Sequence, residues 1–226
     1  MKRTLGSFTG VFVPTFLTVI GVIMYLRLGF IVGSIGLIPT LAIILLSVSV
    51  TITTALSLSS ITSNMKLEAG GAYSVITKVL GRGAGASMGI PLYLAQVFSV
   101  AFYIFGFSEG WNFIFPNHST LLVVLSTFAI LFLLTFIATK LAIRTQVFVF
   151  GLILLSLVSI AFGGMWWSSG FNTPSVIESA LPSFWILFAL FFPAVTGLIA
   201  GIGLSGDLTD PKSQIPKGTL WAIGIT

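Results

Sequence analysis

Apolar residues run along this chain in long stretches rather than in alternation with polar ones. Six stretches reach about 18 residues or more, the length that crosses about 30 Å of hydrocarbon: Phe8 to Val32, Leu37 to Ser63, Ala86 to Trp111, Leu121 to Ala138, Val147 to Trp167 and Phe184 to Leu204. The period-two pattern of barrel strands is absent, so each stretch predicts a membrane-spanning helix. A further apolar stretch opens at about Thr219 and continues to Thr226, which reads as the beginning of a seventh span and makes the chain an N-terminal fragment. No linker or low-complexity tract interrupts residues 1–226, which are expected to form part of one transmembrane domain.

Composition agrees with the pattern. Of the 226 residues 56% are hydrophobic and 7% charged, whereas soluble domains carry about 25% charged residues. Placing the N-terminus in the cytoplasm puts Lys2, Arg3, Lys66, Lys78, Arg82, Lys140, Arg144, Lys212 and Lys217 on the inner side, and Arg27 alone falls within a span. The opposite loops, Ser34 to Gly36, Asn112 to Thr120 and Ser168 to Ser183, contain no Lys or Arg. This bias orients the chain. It also accounts for the formal net charge of +5 without nucleic acid as a partner. Met1-Lys2-Arg3 before an apolar stretch resembles a signal peptide, but the stretch is too long and lacks a small-residue cleavage site. With no cysteine and one histidine, thiolate chemistry and a histidine metal cluster are excluded. No cofactor is expected; the lipid bilayer is the first partner, and a homodimer stays open.

Two connecting segments carry signals of their own. Asn64 to Gly85 is rich in glycine and alanine around Tyr73 to Leu80, which predicts a short helix on or dipping into the inner face. Ser205-Gly206-Asp207-Leu208-Thr209-Asp210-Pro211 forms a polar exit from span six. Arg27 lies about 25 Å from the inner end of span one, and Glu109 stands at the outer end of span three. They are candidates for an ion pair over an outer vestibule, or for separate snorkelling to water.

Spans one and six are interrupted. Span one holds Pro14 and then Thr18-Val19-Ile20-Gly21-Val22, and span six holds Phe191-Phe192-Pro193-Ala194-Val195-Thr196-Gly197, followed by Gly201 and Gly203. Proline removes a backbone hydrogen bond and glycine permits unwinding. At about 1.5 Å per residue, Gly21 falls about 15 Å deep and Pro193 to Gly197 at about 10 to 17 Å. Such residues also serve close packing in membrane helices. Two interruptions at matching depth in oppositely running helices favour an inverted repeat with a binding site between two broken helices.

A broken helix bares amides at the start of its second half and carbonyls at the end of its first. The amides around Gly21, Val22 and Ile23, and around Gly197, Leu198 and Ile199, suit an anion. The carbonyls of Thr18, Val19 and Pro193 suit a cation, with the hydroxyls of Thr18, Thr196 and Tyr103 nearby. No carboxylate lies at this depth to balance an organic cation or relay a proton, so small inorganic ions fit better. Tyr103 has an equal claim as a packed aromatic capped by a carbonyl.

The strings Gly21-Val22-Ile23-Met24-Tyr25-Leu26-Arg27, Gly70-Gly71-Ala72-Tyr73, Phe102 to Glu109, Phe191 to Gly197, Ser205 to Pro211 and Ile215 to Leu220 resemble the cation-chloride cotransporters of the amino acid-polyamine-organocation superfamily. That resemblance covers nearly the whole chain. It implies an all-α LeuT-type inverted-repeat fold, here the first five-helix repeat and the first helix of the second. It also implies secondary cotransport of chloride with potassium, sodium or both in the plasma membrane. Carried over by position, potassium falls near Thr18, Val19, Tyr103, Pro193 and Thr196, one chloride at Gly21, Val22 and Ile23, a second at Gly197, Leu198 and Ile199, and an outer gate at Arg27 and Glu109. Thr18 departs from the asparagine of animal members.

Other function classes leave weaker marks. Gly203-Leu204-Ser205-Gly206 suggests a rhomboid-like intramembrane protease, but His118 is expected on the opposite side of the membrane from Ser205. Gly106-Phe107-Ser108-Glu109-Gly110 fits a nucleophile elbow and Gly201-x-Gly203-x-x-Gly206 a dinucleotide fingerprint, both without the strand each needs. Asn117-His118-Ser119 is a glycosylation sequon relevant to a eukaryotic source. An amino-acid or polyamine transporter of the same superfamily is the nearer rival. Bulky Val19, Ile20, Val22 and Ile23 around a lone Gly21 leave its substrate little room. A non-transporting subunit or truncated paralogue is a further class.

Overall fold

The computed structural model describes residues 5–65, 69–137, 139–166 and 182–226, and within these nine α-helices and no strand. Lys2, Arg3, Lys66, Ala138, Trp167 and residues 168–181 of the expected outer loop lie outside the described residues.

A wide π-helical turn over Phe8–Phe12 leads into α1 (Val13–Val19), and after a two-residue break α2 (Val22–Ile35) continues the first span. Pro14 does not sit at this break. It occupies the start of α1, where the looser turn before it accommodates the missing N–H. The chain opens instead at Ile20 (φ −85°, ψ 57°) and Gly21 (φ −101°, ψ −170°). Gly36, at φ 81°, then joins α2 directly to α3 (Leu37–Asn64).

The long helix α4 (Gly71–Ile114) bends sharply at Gly81, whose φ of 87° and ψ of 170° are open to glycine and strained for other residues. The bend separates the short helix expected at Tyr73 to Leu80 from the third span, so that span begins before Ala86. α5 (Thr120–Ile137) is apolar on nearly all sides, α6 (Thr139–Trp166) is so from Val147 onward after a polar start that includes Arg144 and Gln146, and most of their described side chains face outward, as lipid-facing helices do. Among the described residues five segments are long and apolar enough to cross a membrane, with Thr120–Thr135 a shorter sixth.

The sixth span is divided like the first. α7 (Phe184–Phe191) tightens into a 3-10 turn at Phe192–Val195 around Pro193, opens at Thr196 and Gly197, and resumes as α8 (Leu198–Gly203). α9 (Pro211–Ile225) begins well before the expected Thr219. Pro211 suits a first helical position, and the Gln214 side chain reaches back to accept from the Asp210 amide at 3.3 Å. Pro216 sits inside α9.

Three apolar clusters join these pieces. Ile23, Ile31, Ile43, Leu187 and Phe191 pack α2, α3 and α7 together. Val11, Val75, Ile202, Leu208 and Ile215 form a second cluster, and Phe12, Phe16, Ile20 and Ala222 a third, against Phe150, Ile153 and Leu157 of α6. Along α3 the buried positions Thr40, Ile43, Ser47, Thr51, Ala55, Ser59 and Thr62 make a stripe of mostly small residues. This lets α9 and α7 approach closely. Ahead of the first span, the Leu5 amide donates to the Asp207 carbonyl and the Thr209 amide to the Leu5 carbonyl, both at 3.1 Å. The Ser7 hydroxyl donates to the Gln214 carbonyl at 3.0 Å.

Candidate functional site

The two breaks lie side by side. The Thr18 hydroxyl is 3.0 Å from the Gly197 carbonyl, 2.8 Å from that of Thr15 and 3.0 Å from that of Pro14. It has one proton to give them and two lone pairs to keep. α1 stops at Val19, so the carbonyls of its last turn lack the partners a continuing helix would supply, although that of Phe16 accepts from the Ile20 amide at 2.8 Å. α2 starts at Val22 with its first amides unpaired by the same rule. Gly21, between them, brings the backbone close. A Cβ there would lie 3.2 Å from the Leu17 carbonyl oxygen, 3.4 Å from that of Thr18 and 3.8 Å from Cε1 of Tyr103.

A cleft of about 280 Å³ opens here, lined by Pro14, Leu17, Thr18, Gly21, Val22, Tyr103, Gln146 and Ala200. Among the described residues no charged side chain contributes to its wall. Of the residues expected at the cation site, Thr18 and Tyr103 meet in this cleft. Val19 lines an apolar cavity of about 160 Å³ on another side, together with Thr51, Ala194 and Val195. Thr196 is exposed and its hydroxyl donates to the Pro193 carbonyl at 2.8 Å, so neither side chain of that pair reaches the cleft. In the second amide group, Leu198 is buried and its amide already donates to the Thr196 carbonyl at 2.9 Å, while Ile199 is exposed.

Val22 and Ile23 also border a larger cleft of about 400 Å³, with Arg27, Phe105, Glu109 and Asn112 around it. Across it Arg27 and Glu109 form a two-pronged pair, Nη1 to Oε1 at 2.9 Å and Nη2 to Oε2 at 2.7 Å. The start of α2 thus stands between the ion pair and the inner cleft.

Two side chains that sequence reasoning passed over contribute. Gln146 follows Arg144 and Thr145 just before Val147, where hydropathy begins the fifth span. Thr51 is one hydroxyl among many in α3. Its Oγ1 lies 3.0 Å from the Val195 carbonyl and 3.1 Å from that of Ser47, holding the 3-10 turn ahead of the second break. Thr51→Val keeps the shape and removes the donor. It is expected to cost the full-length protein about 1–2 kcal/mol of stability, read as a lowered melting temperature in detergent.

The family model described as amino acid permease matches residues 10–226. The chain belongs to the amino acid permease family. With membership comes the LeuT-like, all-α fold of a multi-pass membrane transporter. The chain is 33% identical over 267 residues to vacuolar cation-chloride cotransporter 1 of Saccharomyces cerevisiae, covering 100% of itself and 24% of that protein. Against solute carrier family 12 member 2 of Squalus acanthias it is 34% identical over 244 residues, covering 98% and 20% respectively. Against human solute carrier family 12 member 3 it is 33% identical over 243 residues, covering 96% and 24%. The chain therefore spans about a quarter or less of the length of these curated relatives.

These relatives and the family are transporters, not enzymes, and the protease and nucleophile-elbow strings have local explanations. Ser205 is fully buried, while His118 is exposed and accepts from the Trp111 indole at 2.9 Å. Ser108 donates to the Phe105 carbonyl at 2.7 Å inside α4, so its glycine-flanked string is ordinary helix.

Proposed function

We propose that the full-length protein is a secondary active cotransporter of chloride with potassium, sodium or both, working by alternating access. The observation that carries this is the junction of two helix breaks at an uncharged cleft, with carbonyls ending α1 and amides beginning α2 on either side of Gly21. Oxygen dipoles on one side and N–H dipoles on the other suit a cation and an anion bound close together. Each ion then screens the other, so that the pair binds better than either alone. A coupling of about 1–3 kcal/mol is typical of such linked sites.

In this reading the cation is held by the carbonyls of Thr18, Val19 and Pro193 with the hydroxyls of Tyr103 and Thr196. One chloride takes the amides of Gly21, Val22 and Ile23, and a second those of Gly197, Leu198 and Ile199. Arg27 and Glu109 close the outer side, and the N-terminus lies in the cytoplasm. The similarity to a yeast protein named as a cation-chloride cotransporter supports the choice of ions. We assign the plasma membrane, although the yeast relative is by name vacuolar.

The family's description favours a second reading, amino-acid transport. Space argues against it. A Cβ on Gly106 would come within 3.0 Å of Val22 Cγ1, so α4 sits tightly on the start of α2 where an amino-acid carboxylate would have to approach.

Rubidium uptake into vesicles holding the full-length protein, with and without chloride, separates the two. Uptake is expected to require chloride. Tyr103→Phe, which deletes a single oxygen, is expected to lower rubidium affinity about tenfold. Uptake indifferent to chloride, or uptake of amino acids in place of rubidium, would overturn the proposal.

A further inference from the structure

Gln146 stands on the face of α6 that packs against the first span. Phe150, Ile153 and Leu157, at four, seven and eleven residues further on, repeat along one side of the helix. They pack against the cluster of Phe12, Val13, Phe16 and Ile20. Phe150 in particular meets Phe16 edge-on at 4.9 Å between ring centroids and Phe12 at 5.8 Å. The stripe fixes α6 against α1, and Gln146 is the polar residue that extends it into the cleft holding Thr18, Gly21 and Tyr103.

The Oε1 atom of Gln146 is buried and has no hydrogen-bond partner among the described residues. A buried amide oxygen without a donor is unfavourable wherever it occurs in a folded protein. In a packed stripe an apolar residue would avoid that cost. A cation removes it, because an amide oxygen is a good neutral ligand for an alkali ion. The rest of the wall points the same way: the Tyr103 hydroxyl and the carbonyl end of α1 are oxygen ligands, and no Lys or Arg among the described residues lines it.

We propose that Gln146 is a further ligand of the transported cation, its Oε1 completing the oxygen set beside Tyr103 and thereby setting which alkali ion is preferred. This rests on the cotransport reading above and adds to it a residue from the fifth span. Selectivity follows from field strength. Neutral amide and hydroxyl oxygens suit a large, weakly hydrated ion such as potassium or rubidium, whereas a carboxylate at the same place favours the smaller sodium ion.

Two variants of the full-length protein test it in vesicles at saturating chloride. Gln146→Leu removes both the oxygen and the amide nitrogen, and is expected to raise the rubidium concentration for half-maximal uptake about tenfold. Gln146→Glu has an oxygen at both terminal positions. It is expected to retain rubidium uptake while sodium competes at least about threefold better than in the wild type, the result of a stronger-field ligand. A Leu variant with wild-type rubidium dependence would overturn the proposal. So would a Glu variant as impaired as the Leu one, since that would make the amide nitrogen the working atom. Should the Leu variant fail to reach the membrane, unchanged sodium competition in the Glu variant overturns it alone. Chloride-independent uptake by the wild type sinks the cotransport reading instead, and leaves the cation dependence of the two variants to decide on Gln146.

Discussion

Gly197→Val is expected to abolish uptake by the full-length protein, and Gly197→Ala to lower it at least about tenfold, the equivalent of about 1.4 kcal/mol. A Cβ at Gly197 would overlap the Thr18 hydroxyl oxygen, lie 2.5 Å from Thr18 Cβ and 3.1 Å from its carbonyl carbon. These are not the far end of a flexible side chain. Thr18 Cβ is fixed to the last turn of α1, so relief requires the two breaks to separate. That separation also breaks the bond from the Thr18 hydroxyl to the Gly197 carbonyl. Overpacking of this kind costs about 1–3 kcal/mol for a single methyl and more for a branched side chain. Gly29→Ala and Gly33→Ala are the controls, since a Cβ at either meets nothing within 4 Å. Both should transport like the wild type. Rubidium uptake normalised to protein in the membrane reads the whole series, and a fully active Gly197→Ala would show that the breaks do not need this contact.

Glu109→Lys is expected to cut uptake about tenfold, with the exchange Arg27→Glu/Glu109→Lys recovering most of the loss. The Arg27 and Glu109 side chains are 34% and 48% exposed, so their attraction alone is worth about 1 kcal/mol or less. Reversal does more than remove it. Two cations brought to hydrogen-bond distance repel, and the matched fork of guanidinium and carboxylate is lost. Because the pair is solvated, the defect should shrink as an impermeant salt raises ionic strength. Initial rates of the two single variants and the exchange, at low and high salt, check this. An exchange no better than Glu109→Lys would mean that the two residues act separately.

The sequence marks the breaks clearly because glycine and proline are what permit them: Gly21, Pro193 and Gly197 all lie where the helices open. Pro14 misled for a physical reason. Its missing N–H is absorbed by the π-helical turn over Phe8–Phe12, and nothing in the local composition announces that turn. Hydropathy places the start of α9 late, at Thr219, whereas the helix begins at Pro211, continues through Pro216 and packs along α3. Within the site, Thr18 and Tyr103 were legible as polar groups at the depth of the break. Gln146 was not, because its importance comes from the side of α6 that faces α1, and hydropathy placed the boundary one residue beyond it. Thr51 was hidden among the serines and threonines of α3, which are indistinguishable until one of them is seen to meet a carbonyl of the sixth span. Thr196 is a different case: its depth marks it from sequence, and its hydroxyl, turned here onto the Pro193 carbonyl, has to rotate away to reach a cation as proposed.

The backbone bridge between Leu5 and the loop after α8 bears on how the transporter moves. It ties the leading end of the first broken helix to the trailing end of the second, so α1 and α8 share a strap at one end as well as the Thr18 contact at the other. Two half-helices fastened at both ends hinge as one lever. In the proposed cotransport cycle, a solvent path on that side would open by a single concerted stroke, so that neither ion would slip out past a half-helix that had let go alone. Because the strap is made of main-chain groups, it resists the exchange of side chains around it.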